Sequence, residues 1–199
     1  MAFAPLACSS KKSGPSAPEP PVAPSPTSPQ NLLALIAWCW EMQDETLYRG
    51  IFTSDFFFDF APADSQSVGA GLDRAQEIDA GNNLFGSGLP PAHPAPTNIS
   101  FNYDPGLIVT NDDRPGKDPV VHKLITTTVS ISVLTSTLDY SISSGMKFYF
   151  VRGDSAAIPG DLGVGPDANR WYLERWEDNL VCPKTCATVG KVKLDYQTP

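Results

Sequence analysis

The sequence predicts an α+β domain with helices packed on one face of a strongly curved antiparallel sheet, and three observations carry that expectation. Apolar residues recur at three- and four-residue spacing in the first half of the chain, up to about Phe85. From Ile99 onward the period changes to two. Helices therefore come first and strands after, the segregation expected when helices cover one side of an antiparallel meander.

The first helix opens at Ser28, a good N-cap, with Pro29 suited to the first helical position. Leu32, Leu35, Ile36, Cys39 and Trp40 then form one apolar face. Asp44 restarts a short second helix through Leu47, Tyr48 and Ile51-Phe52. Thr53-Ser54-Asp55 is expected to break it, and Phe56 to Phe60 to form a strand. A third helix is expected from Leu72 to Phe85, with Ala75, Ile78, Leu84 and Phe85 inward and Gly86 ending it.

After the Pro-rich loop from Pro90 to Pro96, Ile99, Phe101 and Tyr103 share one strand face. Ile125, Val129, Ile131 and Val133 share another, with Thr126, Thr128, Ser130 and Ser132 opposite. Leu138-Tyr140-Ile142 and Met146-Phe148-Phe150 flank Ser143-Ser144-Gly145, where a strand-bending bulge is expected. Trp171 to Trp176 make the last strand.

Composition bounds the function. A net charge of −8 repels phosphate backbones, so nucleic acid is not an expected partner. A 41% hydrophobic fraction over 199 residues supports one sizeable core. No Gly-rich phosphate loop, H-E-x-x-H or G-x-S-x-G is present, and no cofactor or metal is expected.

The N-terminus speaks of location. Leu6-Ala7-Cys8 is followed by seven prolines from Ser9 to Pro29, a stretch with too little apolar surface to fold. Residues 1–8 read as a truncated signal and lipobox, although Pro5 stands where an aliphatic residue is usual and no basic residue precedes Cys8. Residues 9–29 read as a disordered tether reaching about 60 Å in polyproline form. The P-x-x-P spacings of this stretch leave a Pro-rich ligand as the rival reading. Residues 30–180 form the domain, and residues 181–199 a C-terminal tail.

The other cysteines are read by context. Cys39 falls on an apolar helix face and behaves as a small hydrophobe. Cys182 and Cys186 are expected to close a small disulfide loop, with a redox couple or half a metal site as alternatives. Their spacing of three is not the redox spacing of two, and His93 and His122, the only histidines, are far away in sequence.

Several pieces in order carry a family resemblance. They are Ser28-Pro29-Gln30-Asn31-Leu32-Leu33, the Asp44 to Tyr48 segment, Phe57-Phe58-Asp59-Phe60, Arg74-Ala75-x-Glu77-Ile78, Lys147-Phe148-Tyr149-Phe150-Val151-Arg152, and Trp171 to Asp178. Over roughly residues 28–180 the chain resembles the NTF2-like (SnoaL, ketosteroid-isomerase-like) domains, and more narrowly a group of uncharacterised bacterial lipoproteins that contain one. That resemblance implies a cone with a pocket between helices and sheet. In the isomerase-like relatives it also implies a carboxylate base on the strand after the second helix. Here Phe60 falls at that position, and a one-residue shift recovers Asp59.

Asp59 is thus the weak catalytic candidate, with Tyr103, Tyr140 or Tyr149 as possible donors and His122 near a strand start. If Phe56, Phe58 and Phe60 face the core, Asp59 is a solvated surface carboxylate. Glu174, Glu177 and Asp178 with Arg170 and Arg175 read as a solvated charged strand, and Arg152-Gly153-Asp154 as a turn. The leading expectation is an extracytoplasmic lipoprotein, held to the lipid bilayer of the cell envelope through Cys8. Its domain would be non-catalytic, binding a small apolar ligand or a protein. The Ser/Thr-rich sheet face would suit a homodimer. An isomerase or dehydratase and a structural envelope accessory are the alternatives. Mass analysis of the N-terminus from a native host should find a diacylated Cys8; an unmodified Met1 removes the membrane assignment.

Overall fold

The computed structural model describes residues 21–62, 64–65, 69–90, 92–179 and 187–198. Cys8, Cys182 and Cys186 lie outside them. The Ser28 hydroxyl accepts the Asn31 N–H at 3.1 Å, and helix α1 (Pro29–Met42) follows, as its cap dictates. Leu32, Leu33, Leu35, Ile36, Cys39 and Trp40 are all buried on it. Gln43 ends α1 in the left-handed region, its N–H donating back to Cys39 and Trp40. Asp44 then caps α2 (Glu45–Arg49) by accepting from Leu47 N–H at 2.8 Å.

Strand β1 (Phe52–Asp59) begins earlier than the sequence suggests. Thr53-Ser54-Asp55, expected to form a break, belongs to it because β1 already pairs at Phe52 with Leu173. A short strand β2 (Gly71–Asp73) leads into helix α3 (Arg74–Phe85). Asp73 and Gln76 form a reciprocal capping box, so the helix starts two residues after Leu72. Its buried stripe is Glu77, Ala80, Gly81, Leu84 and Phe85, whereas Ala75, expected inward, is exposed. Gly81 lets the Tyr48 ring approach closely, to 3.0 Å from where a Cβ would stand.

The remaining strands are β3 (Gly88–Leu89), β4 (His93–Pro94), β5 (Asn98–Tyr103), β6 (Val109–Asn111), β7 (His122–Leu134), β8 (Asp139–Arg152) and β9 (Trp171–Asp178). The main sheet runs β2-β1-β9-β8-β7-β5, with β6 also on β7, while β3 and β4 form a separate ribbon. All its pairs are antiparallel except β1 with β9, which run parallel. α1 packs across β5, β7 and β9, and α3 lies along β1.

The expected bulge at Ser143-Ser144-Gly145 is absent. β7 and β8 pair without interruption from His122 with Val151 to Leu134 with Asp139. Ser144 simply takes the inward turn between Ile142 and Met146, so the period never slips. The irregularity lies on β9 instead. Tyr149 faces Arg175 and Phe150 faces Leu173, which leaves Glu174 as the extra residue. A second register shift separates Phe52 from Phe57 on the β1 side. These two shifts let Leu173 and Trp176 both point inward although they are three residues apart.

The core is a web of aromatic rings centred on Trp40, whose indole meets Tyr48, Phe85, Phe101 and Trp176 edge-on at 5.7–6.4 Å between centroids. Two terminal segments complete it. Trp171 N–H donates to the Pro26 carbonyl at 2.8 Å and Ala23 packs on the core, so the Pro-rich stretch meets the body at Ala23 and Pro26. Within the stretch read as a tail, helix α4 (Val189–Asp195) is capped by Thr188 and buries Val189, Val192 and Tyr196 completely. Replacing Asp73 by alanine removes the Asp73 side-chain half of the α3 capping box, leaving the residue-73 N–H to Gln76 bond in place, and should cost about 1 kcal/mol in urea denaturation with an unchanged slope. An unchanged midpoint would mean that the Asp73 carboxylate adds nothing to the hold on α3.

Candidate functional site

Phe58 on β1 and Trp176 on β9 are register partners in the parallel pair, so both rings rise from the same face of adjacent strands. Their centroids lie 5.4 Å apart at 81°, and Trp176 is fixed further by its indole N–H donating to the Met146 sulfur at 3.3 Å. Above these rings ends the side chain of Lys193, on α4. Its ammonium lies 3.6 Å from the Phe58 centroid and 3.8 Å from the Trp176 centroid. Such contacts contribute about 2 kcal/mol or more each when desolvated.

The charge is balanced from the helical side. Glu77 on α3 places Oε1 2.6 Å from the Lys193 ammonium, and both side chains are almost fully buried, at 1% and 2% exposure. Tyr48 on α2 donates its hydroxyl to the same Oε1 at 2.5 Å. Asp178, two residues beyond Trp176 and 2% exposed, accepts from the Ser144 hydroxyl at 2.8 Å and from Val189 N–H at 3.1 Å. Burial pushes the Lys193 amine down to about 8, with Glu77 and then Asp178 pulling it back up. Burial, reinforced by Glu77, holds the Tyr48 phenol well above its usual range.

This constellation is not the one expected. The sequence signal for it was an ionisable residue inside an apolar stripe. Glu77 stands with Ala80, Gly81 and Leu84 at helical spacing, and Lys193 with Val189, Val192 and Tyr196. Asp178 shares the face of Trp176. It was read as part of a solvated strand, and its burial corrects that reading; so does that of Glu174, which is 7% exposed and salt-bridged to Arg114 and Lys117.

The expected candidates lie elsewhere. Phe56, Phe58 and Phe60 do face the core, which puts Asp59 on the outer sheet face. There it is half-buried and paired with Arg175 at 2.6 Å, not freely solvated. Burial raises its carboxyl to about 6 despite Arg175. Tyr149 is also an outer-face residue, buried beneath the Arg114 guanidinium at 4.4 Å. Tyr103 is half-buried on the inner face, its phenol raised by burial and then by Glu41. Tyr140 donates to Asp195 at 2.9 Å and lies 3.4 Å from His93. His122 opens β7, its Nδ1 3.2 Å from the Asp118 carbonyl. Cys39 is a free buried thiol raised to about 12, chiefly by burial. Arg152 and Asp154 pair with each other at 2.8 Å across their turn.

A scan against protein-family models finds no match, and neither does a search among curated proteins. Solved structures do match. The chain is 13% identical to a protein provisionally described as an aromatic ring hydroxylase from Novosphingobium aromaticivorans, covering 82% of this chain and 92% of that one, with a TM-score of 0.55. It is likewise 13% identical to the Kfla4162 protein from Kribbella flavida, over 83% and 93% of the two chains, at 0.53. The fold is the NTF2-like cone. At this distance the likeness concerns backbone architecture, so the chemistry rests on this chain's own side chains.

Removing one partner of the buried ion pair should be far costlier than its surface counterparts. Lys193→Met and Glu77→Leu should each lose about 3–5 kcal/mol in urea denaturation. The double variant should lose less than their sum by roughly 1–3 kcal/mol. Full additivity would show that the two charges do not support one another.

Proposed function

We propose that this NTF2-like domain is a small-molecule binding module without chemistry of its own, and that the site is the interior of the cone beneath α4. One observation carries the reading: Tyr48, Glu77, Lys193, Asp178 and Ser144 converge from five elements on an interior otherwise built of aromatic rings. Apolar walls with a few convergent polar groups are the usual lining of a ligand site, and here the Lys193 side chain fills the space they enclose. The polar groups also argue for binding over catalysis. Glu77 is engaged by Lys193 and Tyr48, and Asp178 by Ser144 and the α4 backbone. Both carboxylates of this cluster are already engaged, Glu77 through Oε1 alone. Asp59, the candidate for an isomerase-like base, is on the other face of the sheet, engaged with Arg175.

The N-terminal Leu6-Ala7-Cys8 and the proline-rich run after it support placing this module outside the cytoplasm on a lipid anchor. A binding module on a tether samples solute near the membrane without needing to release a product.

The test is a thermal-shift panel of small aromatic and aliphatic compounds, neutral and charged, against the full chain. A ligand at one hundred times its Kd should stabilise the protein by about 2.7 kcal/mol. Trp176→Phe should weaken each such ligand. An empty panel, or hits that ignore Trp176→Phe, would remove the interior as the site.

A further inference from the structure

The walls of the cluster and its occupant come from different parts of the chain. Phe58 and Trp176 are held on paired central strands, and Glu77 on α3 is steadied by the Tyr48 hydroxyl. All belong to the cone itself. The cation between them is supplied by α4, a helix of seven residues. A helix so short has little stability of its own and holds its shape only while docked.

The walls have a chemistry that suits one kind of guest. Two π faces lie within 3.8 Å of a single point, a carboxylate oxygen lies 2.6 Å from it, and Asp178 adds further negative charge to the same buried space. Aromatic faces plus carboxylates recognise an organic cation. A neutral or anionic guest would leave Glu77 buried without a counter-charge, at a cost of several kcal/mol.

We propose that the cone interior is a cation site for a small primary alkylammonium compound, and that Lys193 is its tethered occupant, which a free amine displaces together with α4. This deepens the binding function proposed above and rests on it. The docking of α4 opposes the displacement. Val189, Val192 and Tyr196 are fully buried, Asn83 donates to the Tyr196 carbonyl at 2.9 Å, and Thr188 donates to Asp64 at 2.5 Å. A ligand therefore binds only if its own contacts exceed that docking, and this sets the threshold of the site.

Propylammonium reproduces the Lys193 side chain beyond Cβ and is the probe. In the full-length Lys193→Ala variant it should raise Tm saturably, by about 3–6 °C at ten times its Kd. Propanol, of the same length but neutral, should not. An equal shift from propanol would leave the interior as a binding site but overturn the cation cage. No shift from either, in a folded variant, would overturn the cage, while the binding reading stands or falls on the compound panel. The unmodified protein supplies a measurement that needs no variant. At ten times the Kd for the form with α4 undocked, propylammonium should speed hydrogen exchange of the α4 amides about ten-fold. Exchange unchanged across the accessible concentration range would make Lys193 a permanent staple, and the displacement would be wrong.

Discussion

The parallel pairing of β1 with β9 is the constraint on which the other features of this molecule depend. It joins the first strand of the chain to the last, so the N-terminal helices and the C-terminal strands close into one cone. It sets Phe58 against Trp176 and, through Trp176, ties the sheet to the Trp40 indole on α1. The register shifts on both sides of β9 follow from the same requirement. They curl the sheet while keeping Leu173 and Trp176 turned inward.

The buried Glu77–Lys193 pair is expensive. Taking two charges out of water costs several kcal/mol per ion, and apolar replacements of the same volume commonly hold a fold as well or better. Its contribution here is specificity of placement. With the ammonium between two rings and a carboxylate, α4 sits in the rotation that turns Val189, Val192 and Tyr196 into the core.

Strand alternation divides the titratable groups into two populations. Inward-facing ones are few, and those of the interior cluster are held by each other. Outward-facing ones form a connected surface network from Asp112 and Arg114 through Glu174, and a second from Asp59 through Arg175 to Glu177. Asp59 belongs to this outer population even though its raised carboxyl would, on its own, suggest a functional group. Its shift comes from burial on the outer face and not from facing a substrate.

What was legible in the sequence was local. Ser28 and Asp44 announced their helices because an N-cap acts within three residues, and the inward faces of β5 and β7 followed from a period of two. The fold class and the buried thiol of Cys39 came from the same patterns. Tertiary structure alone decided which strand β1 would join, where the sheet would bend and that Asp178 would be buried. It also decided that α4 would return to fill the cone. The physical reason is that a charged side chain in an apolar stripe is tolerated only if an opposite charge arrives from elsewhere. The partners of Glu77 and Lys193 are each other, supplied from distant parts of the chain.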